Sequence, residues 1–478
     1  MRKAKIVCTI GPASDAPAML DRLIEGGMDA ARLNFSHGTH ESHGRAIKAI
    51  REAAGRRRVS VAIMQDLQGP RIRVGELPSG GLDLDPGRIV RLFPTDATPP
   101  PALSGTTDAV QIPVTYSHLN NDIKRGARVL IDDGLIELKV DRVSEQAVEC
   151  HVVTGGHVTT HKGINLPGTA ISSPTITDKD RDDLRFGIAQ GVDYVALSFV
   201  RGPDDVAAAK ELIRHFGGDV PVIAKIERRE AVDCMESLLE QADGIMIARG
   251  DLGVEMGPEA VPILQKRLIS EAKRRRCVVI TATQMLESMT HNPRPTRAEA
   301  SDVANAIFDG TDAVMLSAET AMGQYPMEVV RVMDRIVRAA EAGKEPGVIR
   351  RAEPGRNVTF TEATCAAASS AAAAIQARAI VVFSESGPTA RLLSKQRPAA
   401  PIIAFTPCEP VRQRMNLYWG VIPHTMPLII ETDKRISEVE RRLKGEGLVE
   451  KGQRIVIVSG ALPGRTGGTN LMKLHEVG

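Results

Sequence analysis

One local pattern, repeated, constrains this chain more than anything else in it. Eight short runs rich in β-branched residues lie at 4–10, 30–36, 59–66, 193–200, 221–227, 244–250, 278–283 and 313–318. Longer stretches of helical period, such as 204–215 and 259–275, separate them. Parallel strands need a crossover long enough to hold a helix, and this alternation supplies one each time. Eight strand–helix units are what a closed (β/α)8 TIM barrel requires, so the fold expected is α/β and of that type.

Two segments fall outside the repeat. About 120 residues separate the third and fourth runs, far beyond an ordinary βα loop. Within them, 72–168 carries Gly, Pro and Asp turn signals between short β-like runs such as Arg128–Ile131 and 147–153, with no helical period. That reads as an all-β domain inserted into a barrel loop. After about residue 342 a Gly/Pro/Glu-rich joint (341–355) leads to an Ala-rich helix over 361–376, then strands at 379–383, 401–405 and 454–458. An open α/β domain is expected there, with Tyr418 and Trp419 in packing roles. The expected division is a barrel at 1–70 and 170–342, an inserted β-barrel lid at 71–169, and a C-terminal regulatory domain at 343–478.

Composition narrows the function mainly by exclusion. With 61 basic against 59 acidic residues the chain has no field for nucleic acid. Cys8, Cys150, Cys234, Cys277, Cys365 and Cys408 lie far apart with no zinc spacing, and are expected as free thiols. No run approaches the roughly 18 apolar residues of a membrane span, and the opening Lys3–Val7 reads as a strand rather than a leader. A cytoplasmic protein acting on small molecules is the expectation.

A barrel gathers its chemistry at the C-terminal ends of its strands. The second run ends Arg32-Leu33-Asn34-Phe35-Ser36, whose alternation puts Arg32, Asn34 and Ser36 on one face. The third ends in Asp66, the fifth in Lys225-Ile226-Glu227, the sixth in Arg249-Gly250-Asp251, and the seventh in Thr283-Gln284. Glu227 and Asp251 can share a hard cation, Mg²⁺ first, with Lys225 and Arg32 facing the anion it holds. Gly250 lets backbone approach that ligand. A structural ion pair explains any one of these residues equally well. Five converging groups with no Cys or His nucleophile are the inventory of phosphoryl transfer. The same inventory leaves open a Mg²⁺-dependent lyase acting on enolates, and a metabolite sensor without catalysis.

The segments 5–12 (KIVCTIGP), 31–38 (ARLNFSHG), 224–227 (AKIE), 247–254 (IARGDLGV) and 283–297 (TQMLESMTHNPRPTR) resemble the pyruvate kinase family, in the family's order. The insert's end at 164–168 (INLPG) fits as well. The resemblance implies Mg²⁺- or Mn²⁺-dependent transfer from phosphoenolpyruvate to ADP, giving pyruvate and ATP in the final step of glycolysis. It implies that Arg32 binds the substrate phosphate, that Glu227 and Asp251 hold the metal, and that Lys225 stabilises the transferring phosphoryl group and the enolate. The amides of Gly250 and Asp251 with the Thr283 hydroxyl would hold the carboxylate, and Thr283 with water would protonate the enolate. Asn34, Ser36, His37, Arg73 and Lys162 would meet the nucleotide. A homotetramer is implied too. A lyase has no need of an insert carrying Arg73 and Lys162, and a silent sensor has no need of the whole catalytic set.

Two departures refine the expectation. Many relatives hold K⁺ at positions matching Asn34, Ser36, Asp66 and the Leu67 carbonyl, in a segment reading DTKGPEIRT. Here it reads Asp66-Leu67-Gln68-Gly69-Pro70-Arg71-Ile72-Arg73-Val74, which resembles the K⁺-independent branch, with Arg71 supplying the cation's charge. In the C-terminal domain, Ser384, Ser386, Gly387 and Thr389 match the effector-phosphate loop, often completed by a late Gly-rich segment like 463–468. Glu385 stands where fructose-1,6-bisphosphate-activated relatives often have Lys, so a sugar monophosphate or AMP is the expected effector. An ordinary helix N-cap would explain the same residues.

Overall fold

Alternate residues along the eight apolar strands face opposite ways, and that parity organises the whole molecule. A computed structural model describes residues 1–97, 99, 109–343, 358–460 and 468–478. Its eight parallel strands are Lys5–Thr9, Ala30–Asn34, Ala62–Asp66, Tyr194–Leu197, Val222–Ile226, Gly244–Ala248, Val278–Ala282 and Ala313–Leu316, closed into a TIM barrel by pairing of the first with the eighth. All eight are the expected runs, each trimmed at its ends. One parity packs under the helices through residues such as Ile6, Ile63, Val195, Ala224 and Ile247. The other, including Val7, Ala30, Met64, Ala196, Ile223, Met246 and Ile280, fills the barrel.

Helix starts follow local capping chemistry. Thr296 caps the helix Arg297–Asp309, accepting the Glu299 amide at 3.2 Å while the Glu299 carboxylate accepts the Thr296 amide at 2.7 Å. This is the reciprocal pair that Thr296-x-x-Glu299 announces in the sequence.

Between the third and fourth barrel strands lies a six-stranded sheet, ordered Ile164–Asn165, Arg128–Ile131, Ile136–Val143, Val148–Thr154, Ile89–Pro94 and Val110–Val114, beside a two-stranded one. It buries its own core of residues such as Val90, Leu92, Val129 and Leu138. The expectation of an all-β segment needs one correction, because Leu119–Asp122 forms a helical turn. A single turn is too short to give a periodic signal.

The C-terminal sheet runs Val421–Thr425, Ile402–Thr406, Ala379–Phe383, Arg454–Gly460 and Thr469–Glu476, the last antiparallel. Its two outer strands were not visible in the sequence. Pro423 interrupts the first, as is tolerated at an edge, and most of the second is exposed and so lacks an apolar run. The Ala-rich helix spans Phe360–Ala374. The joint expected at 341–355 lies largely outside the described residues.

This domain closes the bottom of the barrel. Ala368, Ala390, Leu393, Met415 and Tyr418 share one apolar cluster with the barrel interior. At its margin the buried Asp312 carboxylate accepts the Val279 amide at 2.7 Å, meets Arg397 at 2.8 Å and pairs with Lys395. Removing one member of a buried pair strands the other's charge. Asp312→Ala should therefore cost about 3–5 kcal/mol, with Asp312→Asn costing less. Calorimetric unfolding checks this, and an unchanged transition in Asp312→Ala would show the cluster to be dispensable.

Candidate active site

The inward parity that fills the barrel with Ala30, Met64, Ala196 and Ile223 ends, two residues further up, at Arg32, Asp66, Ser198 and Lys225. The top layer of the barrel is thus polar by register. Arg32 Nε donates to Asp66 Oδ2 at 2.6 Å, and its Nη1 reaches the Thr9 hydroxyl at 3.1 Å. Lys225 Nζ lies 2.7 Å from Ser198 Oγ, 2.9 Å from Glu227 Oε1 and 3.3 Å from Asp66 Oδ1. Ser198 donates to the Leu67 carbonyl at 2.6 Å, and the Phe199 amide donates to Glu227 Oε2 at 2.7 Å.

The charges set one another. Burial works to raise Asp66, but Lys225 and Arg32 outweigh it and hold this carboxyl below its usual range. Burial also opposes the charge on Lys225, and Asp66 with Glu227 overcomes it, so the ammonium titrates above its ordinary value. Glu227 shifts the other way. Burial raises it, Lys225 divides its charge with Asp66, and the nearby Asp251 charge raises Glu227 further.

Asp251 sits in the first turn of the helix Arg249–Met256. Among the described residues no hydrogen bond or ion pair holds its carboxylate. The Gly250 amide donates to Thr283 Oγ1 at 2.9 Å, and that hydroxyl donates to the Ala282 carbonyl at 2.7 Å. A Cβ at Gly250 would meet nothing closer than 3.8 Å, so the protein itself does not demand glycine there. Thr283 has φ +65°, an unfavourable conformation for a β-branched residue. Arg249 holds it there, with Nη2 2.7 Å from the Thr283 carbonyl and Nη1 2.7 Å from Asp302.

Most of the expected residues come together, with two corrections. The second strand stops at Asn34, so Ser36 lies in the following turn rather than on the strand face, its amide donating to Asn34 Oδ1 at 3.2 Å. Arg71 does not meet Asp66. Its ion pair is with Asp133 at 3.9 Å, because Arg32 and Lys225 already occupy the Asp66 carboxylate.

Around the neck of the insert, Arg73 bridges to Gly163 and donates to the His161 carbonyl at 3.0 Å, while Lys162 pairs with Asp132 at 2.9 Å. His37 is exposed nearby. Partial burial, then Arg73, Arg71 and Arg32, pull its pKa below the usual value. Arg71, Arg201, Arg228, Phe199 and Asp251 line one crevice between insert and barrel.

Four groups went unassigned in the sequence. Ser198 was detectable, since alternation along the fourth run points it inward. Arg249 orders the seventh-strand turn. Arg228 follows Glu227 and donates to the Thr169 carbonyl at 2.8 Å; Glu255, one turn beyond Asp251, accepts the Gly168 amide at 3.2 Å. These two grip the insert's second connection, and no local pattern reveals partners so distant in sequence. The first connection needs Gly69, at φ +69°, whose Cβ would fall 2.9 Å from the Phe199 ring.

In the C-terminal domain a cavity of about 280 Å³ is lined by Ser384, Glu385, Ser386 and Thr389, with Thr361, Thr406, Arg435 and Gly468. Gly387, at φ +101°, turns the loop into the helix Pro388–Lys395 but does not line the cavity. Of the Gly-rich segment at 463–468, only Gly468 lies among the described residues.

A family model described as "Pyruvate kinase, barrel domain" matches residues 1–330, and one described as "Pyruvate kinase, alpha/beta domain" matches 362–475. A pyruvate kinase of Geobacillus stearothermophilus is 46% identical over 480 residues, covering 100% of this chain and 80% of that protein. One from Staphylococcus aureus (strain MRSA252) is 44% identical over 483 residues, covering 100% of this chain and 81% of its own.

The strained turn gives a test. Thr283→Gly and Thr283→Ala both remove the hydroxyl, but only glycine is at ease at positive φ. The Gly variant should be the more stable by about 1 kcal/mol in denaturant unfolding, with activity reduced in both. Equal stabilities would show that the turn relaxes without its hydroxyl.

Proposed function

The chain belongs to the pyruvate kinase family and transfers a phosphoryl group from phosphoenolpyruvate to ADP, giving pyruvate and ATP in glycolysis; on that premise we propose that Arg32, Lys225 and Thr283 carry the transfer, with Glu227 and Asp251 as metal ligands. The observation that carries this assignment is the cluster of Arg32, Asp66, Lys225 and Glu227 at the top of the barrel, beside Asp251.

The carboxylates fit a hard divalent cation. Glu227 is destabilised as a charge by its burial and by Asp251, and Asp251 has no cationic partner among the described residues. A bound Mg²⁺ or Mn²⁺ would neutralise charge on the phosphoryl oxygens as they transfer. Arg32 holds the substrate phosphate, as its guanidinium is anchored at one end by Asp66. Lys225 stays charged and meets the transferring group and then the enolate oxygen. The Gly250 and Asp251 amides and the Thr283 hydroxyl bind the carboxylate, for which the Gly250 amide must exchange its bond to Thr283. As the phosphorus–oxygen bond to the enolate breaks and the bond to ADP forms, the enolate carbon takes a proton. Thr283, relayed through water, supplies it by releasing the Ala282 carbonyl.

Asn34, Ser36, His37, Arg73 and Lys162 meet ADP, the last two on the insert at 71–169, which acts as a lid over the barrel at 1–70 and 170–342. Closure excludes water that would otherwise consume the phosphoryl group. The domain at 343–478 is regulatory. Its cavity presents Arg435 as the cation and Glu385 as a carboxylate among the described lining residues, which supports a sugar monophosphate or AMP over a bisphosphate. A cytoplasmic homotetramer is part of the same reading. Exposed Ile263, Phe360 and Leu474 support further association, and no described helix is long and apolar enough to cross a membrane.

Lys225→Met should lower kcat by several orders of magnitude while substrate binding largely persists, because the charge acts mainly in the transition state. Lost affinity at full kcat would restrict Lys225 to ground-state binding.

Turnover should need no K⁺. The oxygens matching a K⁺ site already accept protein donors: Asp66 from Arg32 and Lys225, the Leu67 carbonyl from Ser198, and Asn34 Oδ1 from the Ser36 amide. Arg71, which acts on His37 beside them, adds permanent charge. Turnover in tetramethylammonium buffer should match that with KCl at equal ionic strength, and Arg71→Glu should introduce K⁺ dependence. A many-fold rise of the parent enzyme with KCl would overturn the assignment.

A further inference from the structure

A second cavity, of about 270 Å³, opens at the opposite end of the barrel from the catalytic cluster, where the C-terminal domain meets the strand N-termini. Its walls come from the helices Pro203–His215, Pro388–Lys395 and Glu409–Met415 and from the starts of the fourth, fifth and seventh barrel strands. Four cations reach it: Lys210, Arg214, Arg391 and Arg414. Two carboxylates oppose them, and neither balances the group. Asp243 already holds Lys210 at 2.8 Å and the Val222 amide at 3.0 Å. Asp219 is fully exposed and 3.6 Å from Arg414, where solvent weakens its pull.

The guanidinium of Arg391 has no hydrogen-bond or ion-pair partner among the described residues, and the Nε atoms of Arg391 and Arg414 are both buried without one. Buried donors are nearly always satisfied, so two orphans in one cationic cavity call for an acceptor. The hydroxyl end of the cavity is provided by Tyr194 and Tyr418, with the Tyr194 hydroxyl donating to the Arg414 carbonyl at 2.7 Å.

We propose that this cavity is a second effector site, taking a small phosphomonoester whose phosphate sits between Arg391, Arg414 and Arg214. Guanidinium forks suit a tetrahedral dianion, and the volume admits a sugar or nucleoside body of modest size. The site is coupled to the first cavity by construction. Ser386 and Pro388 line both, so the turn into the helix Pro388–Lys395 has one ligand cavity on each side. The same helix ends at Lys395, paired with Asp312 at the base of the eighth barrel strand. A phosphate on Arg391 therefore acts on an element joined to both the other cavity and the barrel.

The test is calorimetric binding of inorganic phosphate, glucose 6-phosphate and AMP to the full-length enzyme, with the saturation curve for phosphoenolpyruvate recorded in parallel. The two esters separate a sugar body from a nucleoside one. Arg391→Gln should weaken the bound ester at least about tenfold, the loss of one charge-assisted contact. Arg214→Glu, on an exposed helix face where folding is not at risk, should do the same. Ser384→Ala combined with Thr389→Val, confined to the first cavity, should leave this binding in place. Loss of all binding in the Ser384/Thr389 variant with none in the arginine variants would overturn the proposal, as would no binding of any of the three probes. Turnover without effector should be unchanged in both arginine variants.

Discussion

The buried carboxylate of Asp66 is the point on which the catalytic end of the molecule rests. Two cations stand at the top of the barrel, Arg32 and Lys225, each largely removed from water. Without an anion between them neither would be tolerated there, since an unpaired buried charge costs several kcal/mol. Asp66 meets both, with one oxygen apiece. This fixes their separation and direction before any substrate arrives, which is the preorganisation that electrostatic catalysis uses. Arg32 was equally explicable as a structural ion pair or as an anion site. It is an ion pair, and the pairing is what aims it.

The neighbourhood of the site ties chemistry to the insert. Glu227 is followed by Arg228, and Asp251 is followed one turn later by Glu255. These second residues hold the Thr169 carbonyl and the Gly168 amide of the segment returning from the insert. On the other side, Gly69 packs against Phe199, whose amide holds Glu227. Both connections of the insert therefore end on residues adjacent to the acidic pair. A shift of either carboxylate is felt at the root of the insert through one or two bonded contacts.

The bottom of the barrel is organised by the opposite rule. There the inward-facing layer is apolar and continues into the C-terminal core, leaving a buried ionic cluster around Asp312 at the margin. Continuity of packing makes the C-terminal sheet an extension of the barrel rather than a tethered appendage. Contacts such as the Lys5 ammonium on the Val421 carbonyl at 2.8 Å and the Asn416 amide on the Asp29 carbonyl at 2.6 Å set its orientation.

By itself the sequence determined the eight barrel strands, the inserted β region, the α/β character of the C-terminal domain and nearly all the polar residues of the site. It could do so because strand parity and strand-end position are local properties: a run of five residues declares both which face a side chain takes and how high in the barrel it sits. What the tertiary structure alone decided is partnership. That Asp66 takes Arg32 and Lys225 and leaves Arg71 to Asp133, that Arg249 pins the strained Thr283, and that Arg228 and Glu255 hold the root of the insert all depend on strands brought side by side from distant parts of the chain. The edge strands at 421–425 and 469–476 escaped detection for the same reason. They are strands because a neighbour pairs with them, since neither carries the uninterrupted apolar run that would mark it in isolation.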